Sequence, residues 1–232
     1  MKKLETYDCI WPGTSSIYAN HEIKVMKKIK MMCLCFFMVF SVIAGLASVR
    51  VAEAAALGFT TEPMVAAGSH HSIALRSDGT VWAWGSNTNR LLNTTGLAPV
   101  QLEGLTDIIA VSAGRSHMVA LRNDGTVLTW GSNQHGRLGD GTTIDSSSPV
   151  QVQNLYNIVA ISASTAHTVA LRNDGTVWAW GINGFSGALG DGTNVDSSTP
   201  VQVQNLLNII AISAGHSRTF ALRNDGTVWA CA

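Results

Sequence analysis

The sequence predicts an all-β fold, an incomplete β-propeller built of four-stranded antiparallel blades, and three observations predict it. The segment Ala-Leu-Arg-x-Asp-Gly-Thr-Val occurs four times, with its glycine at Gly79, Gly125, Gly175 and Gly226. The intervals are 46, 50 and 51 residues, and repetition at such a period marks an array of like supersecondary units. Each copy carries Asn-Asp-Gly or Ser-Asp-Gly between two apolar runs. That turn joins the strands of a hairpin, because its residues tolerate positive φ. Finally, Val81-Trp82-Ala83-Trp84-Gly85 is apolar on both of its alternating faces. A small sheet that must be covered on both sides, and that recurs along the chain, is a blade flanked by neighbours.

The elements follow in chain order. Residues 1–25 show no periodicity and are read as a non-conforming leader, with Met26 as a candidate start. From Met26, Met-Lys-Lys-Ile-Lys precedes nineteen uncharged residues, Met31 to Val49, and then Ala52-Glu53-Ala54. A basic start, an apolar run and a small-residue site make up an export signal. The same run reaches the lower limit for spanning a bilayer, so residues 26–54 are either a cleaved signal peptide or an uncleaved membrane anchor. Either reading makes the remainder, residues 55–232, secreted or displayed at the cell surface.

That remainder divides into units of about 64–106, 107–156, 157–207 and 208–232. The second shows the full order. Ile108 to Gly114, His117 to Arg122 and Thr126 to Gly131 read as three strands rich in β-formers. Next comes Gly136-Arg137-Leu138-Gly139-Asp140-Gly141, a polar loop to Ser148, and a short outer strand at Pro149-Val150-Gln151-Val152. A proline suits an edge strand. Ser146-Ser147-Ser148 and Ser197-Ser198 read as solvated loop. The first unit is shorter, with Arg90-Leu91-Leu92-Asn93 in place of the glycine-rich loop. In the third, Ser164 replaces the glycine found at Gly114 and Gly215. The fourth stops inside a strand, with Cys231 and Ala232 where tryptophan and glycine belong. Trp84, Trp130 and Trp180 recur in register and are expected to fill the gaps between blades, each contributing about 4–6 kcal/mol by buried apolar area.

Trp-Gly-x-Asn (Trp84 to Asn87, Trp130 to Asn133, Trp180 to Asn183), Gly-x-Leu-Gly-Asp-Gly (Gly136 to Gly141, Gly187 to Gly192) and the proline and valine that follow form a specific set. From about Met64 to Trp229 the chain resembles the regulator of chromosome condensation repeat family. The resemblance implies a seven-bladed ring, of which the units here make about half. A truncated frame is the preferred explanation; two chains completing one ring by self-association, or an open array, are the others. It further implies two kinds of activity. One is non-catalytic binding outside the cell, as in a secreted bacterial β-lactamase inhibitor of this family. The other is guanine-nucleotide exchange on a small GTPase.

Charge and chemistry narrow the function. All six lysines lie in the first thirty residues, and from Ala55 onward eight arginines face eleven carboxylates. Such a domain lacks the basic footprint that phosphate contacts need, so no nucleic-acid partner is expected. Cys9, Cys33, Cys35 and Cys231 leave the repeats without an internal disulfide or thiolate metal site. His71, His117 and His167 hold one place in three units, one per blade and without metal spacing. They read as blade-building groups hydrogen-bonded to a neighbouring backbone, with Arg218 in the fourth unit. Asp140, Asp191, Asp145 and Asp196 lack the closing glutamate of a calcium loop and read as turn residues, as do Asp78, Asp124, Asp174 and Asp225. There is no nucleophile elbow and no phosphate loop. The expectation is therefore no enzyme, no cofactor and no metal; a propeller-borne hydrolase is the third alternative, for which the loops offer no acid and base pair. Function in a repeat array sits where copies differ, and Arg90, Arg115, His135, Arg137, Tyr156, Phe185 and His216 are the non-repeating residues picked as anchors for an unidentified protein partner.

Overall fold

The computed structural model describes residues 2–3, 61–86, 98–184 and 187–231. The signal segment 26–54, most of the leader, Arg90 with its loop, and Phe185 lie outside them. Four four-stranded antiparallel sheets are formed. Blade 1 contains β2 (Met64–Ala67), β3 (His71–Leu75), β4 (Val81–Gly85) and β5 (Val100–Gln101). In blade 2 are β6 (Ile108–Ala113), β7 (His117–Arg122), β8 (Val127–Gly131) and β9 (Ser146–Gln151), and in blade 3 β10 (Ile158–Ala163), β11 (His167–Arg172), β12 (Val177–Gly181) and β13 (Ser197–Gln202). Blade 4 has β14 (Ile209–Ala214), β15 (Thr219–Arg223) and β16 (Val228–Cys231), and its fourth strand is β1 (Lys2–Lys3) from the far end of the chain.

Two details differ from expectation. The serine runs are not loop: Ser146–Ser148 and Ser197–Ser198 belong to outer strands β9 and β13, which start three residues before the proline that was expected to lead them. The pairing of β9 with β8 shifts register between Thr129 and Gly131, so that Ser146 lies opposite Gly131. The edge of β16 is also paired, Lys2 opposite Ala230 and Lys3 opposite Trp229, so two leader residues have a place in the fold.

Each hairpin turn is built alike. The Asp124 carboxylate accepts from Thr126 N at 2.9 Å and from Thr126 Oγ1 at 2.7 Å. Gly125 follows at φ +81°, where a Cβ would stand 2.9 Å from Asn157 Cα of blade 3. Arg172 and Arg223 lie over the rings of Trp178 and Trp229 at 4.3 and 4.5 Å, and Arg76 covers Trp82 more loosely. In blades 1, 3 and 4 the arginine of the repeat thus caps the first tryptophan of the following strand, and blade 2 has Leu128 at that place.

First strands of successive blades, β2, β6, β10 and β14, lie beside one another. The core sits between the blades. Trp130 packs with Ile73, Leu75, Val81 and Ala83 of blade 1, and Trp180 with Val119, Leu121 and Val127 of blade 2. Both indoles are buried, whereas Trp84, with no preceding blade among the described residues, is half-buried. Cys231 occupies the tryptophan position of blade 4, opposite Thr219 as Trp180 is opposite Thr168, and is buried with Leu189 and Val203.

Candidate binding groove

At one end of every sheet a short loop joins the first strand to the second, and two of its positions vary between copies: Ser69-His70, Arg115-Ser116, Thr165-Ala166 and His216-Ser217. The residue after the third strand is held to this loop by backbone, Ser86 N to His70 O at 2.7 Å, Ser132 N to Ser116 O at 2.8 Å and Ile182 N to Ala166 O at 3.0 Å. Variable side chains of all four blades therefore meet at the same end. They line one groove of about 600 Å3, with His70, Arg115, His135, Arg137, Thr165 and His216 among its walls.

Four of the seven residues picked from the sequence, Arg115, His135, Arg137 and His216, are thereby brought together. Tyr156 is exposed but lies elsewhere, in the loop between β9 and β10. His70 was missed: it stands beside the recurrent His71, and only the comparison of loop positions separates the two.

The groove's groups are held from neighbouring blades. Arg137 is only 5% exposed; its Nε donates to Gln134 O at 2.9 Å and its Nη1 to Thr165 O at 3.5 Å. Burial lowers its pKa, the Asp145 carboxylate opposes that, and nearby Arg115 adds to it. His135 sits at φ +64° with Nδ1 2.6 Å from Asp196 Oδ2 of blade 3. Burial pushes the Asp196 pKa upward, but hydrogen bonds from Asn183 N, His135 and Gly184 N outweigh it and leave a net lowering. His216 Nδ1 is 3.0 Å from Thr165 Oγ1.

The recurrent histidines do a different job from the groove. His117 Nε2 meets Thr168 Oγ1 of the next blade at 2.8 Å, and His167 Nε2 meets Thr219 Oγ1 at 3.2 Å. Each threonine hydroxyl donates onward, to Arg137 O and Ala188 O, so it accepts from the imidazole N–H. The partner is thus a side-chain hydroxyl rather than the expected backbone group. Ser164 Oγ lies 2.7 Å from His167 Nδ1, but both residues are buried and Ser164 Oγ also accepts from His167 N. This pair is a structural clasp with no access to substrate.

Asn133 and Asn183, which end the Trp-Gly-x-Asn motif, organise the glycine-rich loop. Asn133 Oδ1 accepts from Leu138 N at 2.9 Å, while its Nδ2 donates to Asp140 Oδ1 and Thr142 O, both at 3.1 Å. Asn183 repeats the pattern with Leu189, Asp191 and Thr193. Asp140 and Asp191 are accordingly bound within their loops. Among the described residues no three His, Cys, Asp or Glu side chains converge as a metal site would require. A second cleft, about 670 Å3 between the outer strands of blades 1 and 2, has Glu103 as its one ionisable side chain. Of the two clefts, the groove is the one where guanidinium and imidazole groups gather.

The chain's similarities fit this architecture. The family model described as the regulator of chromosome condensation (RCC1) repeat matches residues 78–121, 124–171 and 174–222, and a second RCC1 repeat model matches 65–90, 108–137 and 158–186. No curated protein matches the sequence. Among solved structures, Prp20p from Saccharomyces cerevisiae, described with its binding to Gsp1p and histones, superposes with a TM-score of 0.64 at 22% identity, covering 72% of this chain and 44% of Prp20p. The same yeast protein bound by Kap60 gives 0.64 at 21%, over 72% and 42%. Human WBSCR16 gives 0.67 at 19%, over 73% and 46%. The chain thus spans less than half the length of these propellers.

Proposed function

The chain belongs to the regulator of chromosome condensation repeat family, and from that premise we propose that it is an exported, non-catalytic propeller scaffold that binds a protein or a cell-envelope component through its inter-strand loops. One observation carries the binding half of this reading: the loop positions that differ between repeats are gathered around one groove on a rigid frame. Binding residues are characteristically loops positioned by such a scaffold. Prp20p, of the same fold, is described as binding proteins, which supports a protein partner. Export rests on the basic and apolar order from Met26 to Ala54. Cleavage there would remove Lys2–Lys3 and free the edge of β16.

Two measurements test the reading. Amino-terminal sequencing of protein recovered from culture medium is expected to begin next to Ala54; a product found only inside the cell overturns export. The purified protein, immobilised as bait in extracellular extract, is expected to retain a partner at micromolar concentration, and an empty eluate overturns binding. Acceleration of fluorescent-nucleotide release from a small GTPase would replace the scaffold reading with exchange.

A further inference from the structure

Building on the scaffold reading, we infer that the groove at the loop end of the blades receives the carboxylates of an acidic protein loop, with Arg115 and Arg137 as its anion-holding groups. Arg137 supplies the first argument. The residue is only 5% exposed, its Nε and Nη1 each donate to a backbone carbonyl, and its Nη2 makes no hydrogen bond among the described residues. Carbonyls satisfy donors but do not neutralise charge, and a buried cation is costly until an anion compensates it. Among the described residues neither Arg137 nor Arg115 forms an ion pair. Asp145 acts on Arg137 and offsets part of the burial cost, but its Oδ1 accepts from Asn133 N at 2.7 Å and it forms no ion pair with the guanidinium.

The wall composition supplies the second argument. Two guanidiniums and three imidazoles line the groove and no carboxylate does. Thr165, Ser116 and Ser132 add hydroxyls around them. Arginine's planar fork suits a carboxylate in bidentate fashion, and buried arginines are frequent anchors of interfaces. At about 600 Å3 the groove lies within the ordinary size of ligand clefts.

The third argument separates an acidic loop from a nucleic acid. The repeats carry eleven carboxylates against eight arginines and no lysine, so a long polyanion would be repelled wherever it left the groove. A short acidic segment keeps its charge against the arginines of the groove wall.

The experiment uses the full chain and a fluorescein-labelled hexaglutamate peptide, followed by anisotropy, with a hexalysine peptide and a short single-stranded oligonucleotide as comparators. Saturable binding of the glutamate peptide is expected, weakened about tenfold or more by Arg115→Ala and lost in Arg115→Glu. Arg137→Ala risks the fold because its buried side chain ties Gln134 O to Thr165 O of the next blade, so His216→Ala serves as the second variant, with the circular-dichroism melt as the check on folding. Absence of saturation, equal binding by folded Arg115→Glu, or tighter binding of the oligonucleotide overturns the assignment. If Arg115→Glu still captures the same extracellular partner as the wild type, the groove assignment fails and the scaffold stands. If the peptide binds in an Arg115-dependent way while the bait retains nothing, the scaffold reading fails and the groove stands.

Discussion

His117 and His167 each close an inter-blade gap with one hydrogen bond to a threonine, and the residue that follows the histidine decides whether the bond exists. Thr168 and Thr219 provide the hydroxyl; at the matching place opposite His71 stands Met118, and both ring nitrogens of His71 are left without a partner. Leaving a buried donor unpaired costs about 1–3 kcal/mol. Thr168→Val is accordingly expected to lower the urea-unfolding free energy by that amount, and Thr168→Ser to restore most of it. Burial holds His117 at about 3 and His167 at about 4, with the charges of Arg137, His167 and His71 adding to the effect at His117; burial and then His70 hold His71 at about 4. Unfolded imidazoles titrate near 6.5, so below that value the unfolded chain binds more protons than the folded one. Stability from these groups is complete above pH 6.5 and is lost as pH falls toward 4. At about 1.4 kcal/mol per pKa unit the loss reaches several kcal/mol. Urea midpoints at pH 7 and pH 4.5 measure it, and midpoints that fail to fall would contradict neutral, buried rings.

The glycine-rich loop works as one element. Asn133 fixes its path, Leu138 is buried, and the Arg137 carbonyl accepts from Trp180 Nε1 at 2.9 Å. This locks the loop of blade 2 beneath the indole of blade 3, which accounts for the burial of Arg137, picked from the sequence as a partner anchor. Gly139 shows how closely the two meet: at φ +68°, its Cβ would lie 2.7 Å from Trp180 Nε1. Gly104 has φ +75° but nothing within 4 Å. Gly104→Ala therefore carries the left-handed conformational cost alone, about 1–2 kcal/mol. Gly139→Ala is expected to exceed it by roughly 1–3 kcal/mol of overpacking, with thermal melts of the two variants as the comparison. Equal losses would show that the loop yields freely.

Across the molecule, stability is a sum of blades and of the interfaces between neighbours, and the interfaces are unequal. Ser112 Oγ accepts from Ala163 N at 3.0 Å and Ser162 Oγ from Ala214 N at 2.9 Å, tying blade 2 to 3 and blade 3 to 4. Blade 1 has Ala66 at that position and meets Met118 rather than a threonine, leaving the softer bond of Val111 N to Met64 Sδ at 3.2 Å. Hydrogen exchange by mass spectrometry is expected to show β2–β4 exchanging faster than β10–β12, since local opening follows the weakest interfaces. Uniform protection would mean that apolar packing alone sets the order. How legible this was depends on distance along the chain. Hairpins, sheets and the buried tryptophans lie within one repeat and could be read there. The His–Thr clasps join residues about fifty positions apart, and the position after the histidine reads Ser72, Met118, Thr168 and Thr219, which gives no recurring signal.

The sequence by itself determined the repeat, its four-stranded sheets and the burial of Trp130 and Trp180, because alternation, turn residues and periodicity are local properties that each copy states again. It also marked Arg115 and His216 as residues where copies differ. Only the tertiary structure decided that these two, with His70, His135 and Arg137, share one groove, that serines complete the outer strands, and that Lys2–Lys3 pairs with the last blade. Those outcomes depend on how separate units approach one another, and no short stretch of chain encodes an approach between surfaces that fold independently of it.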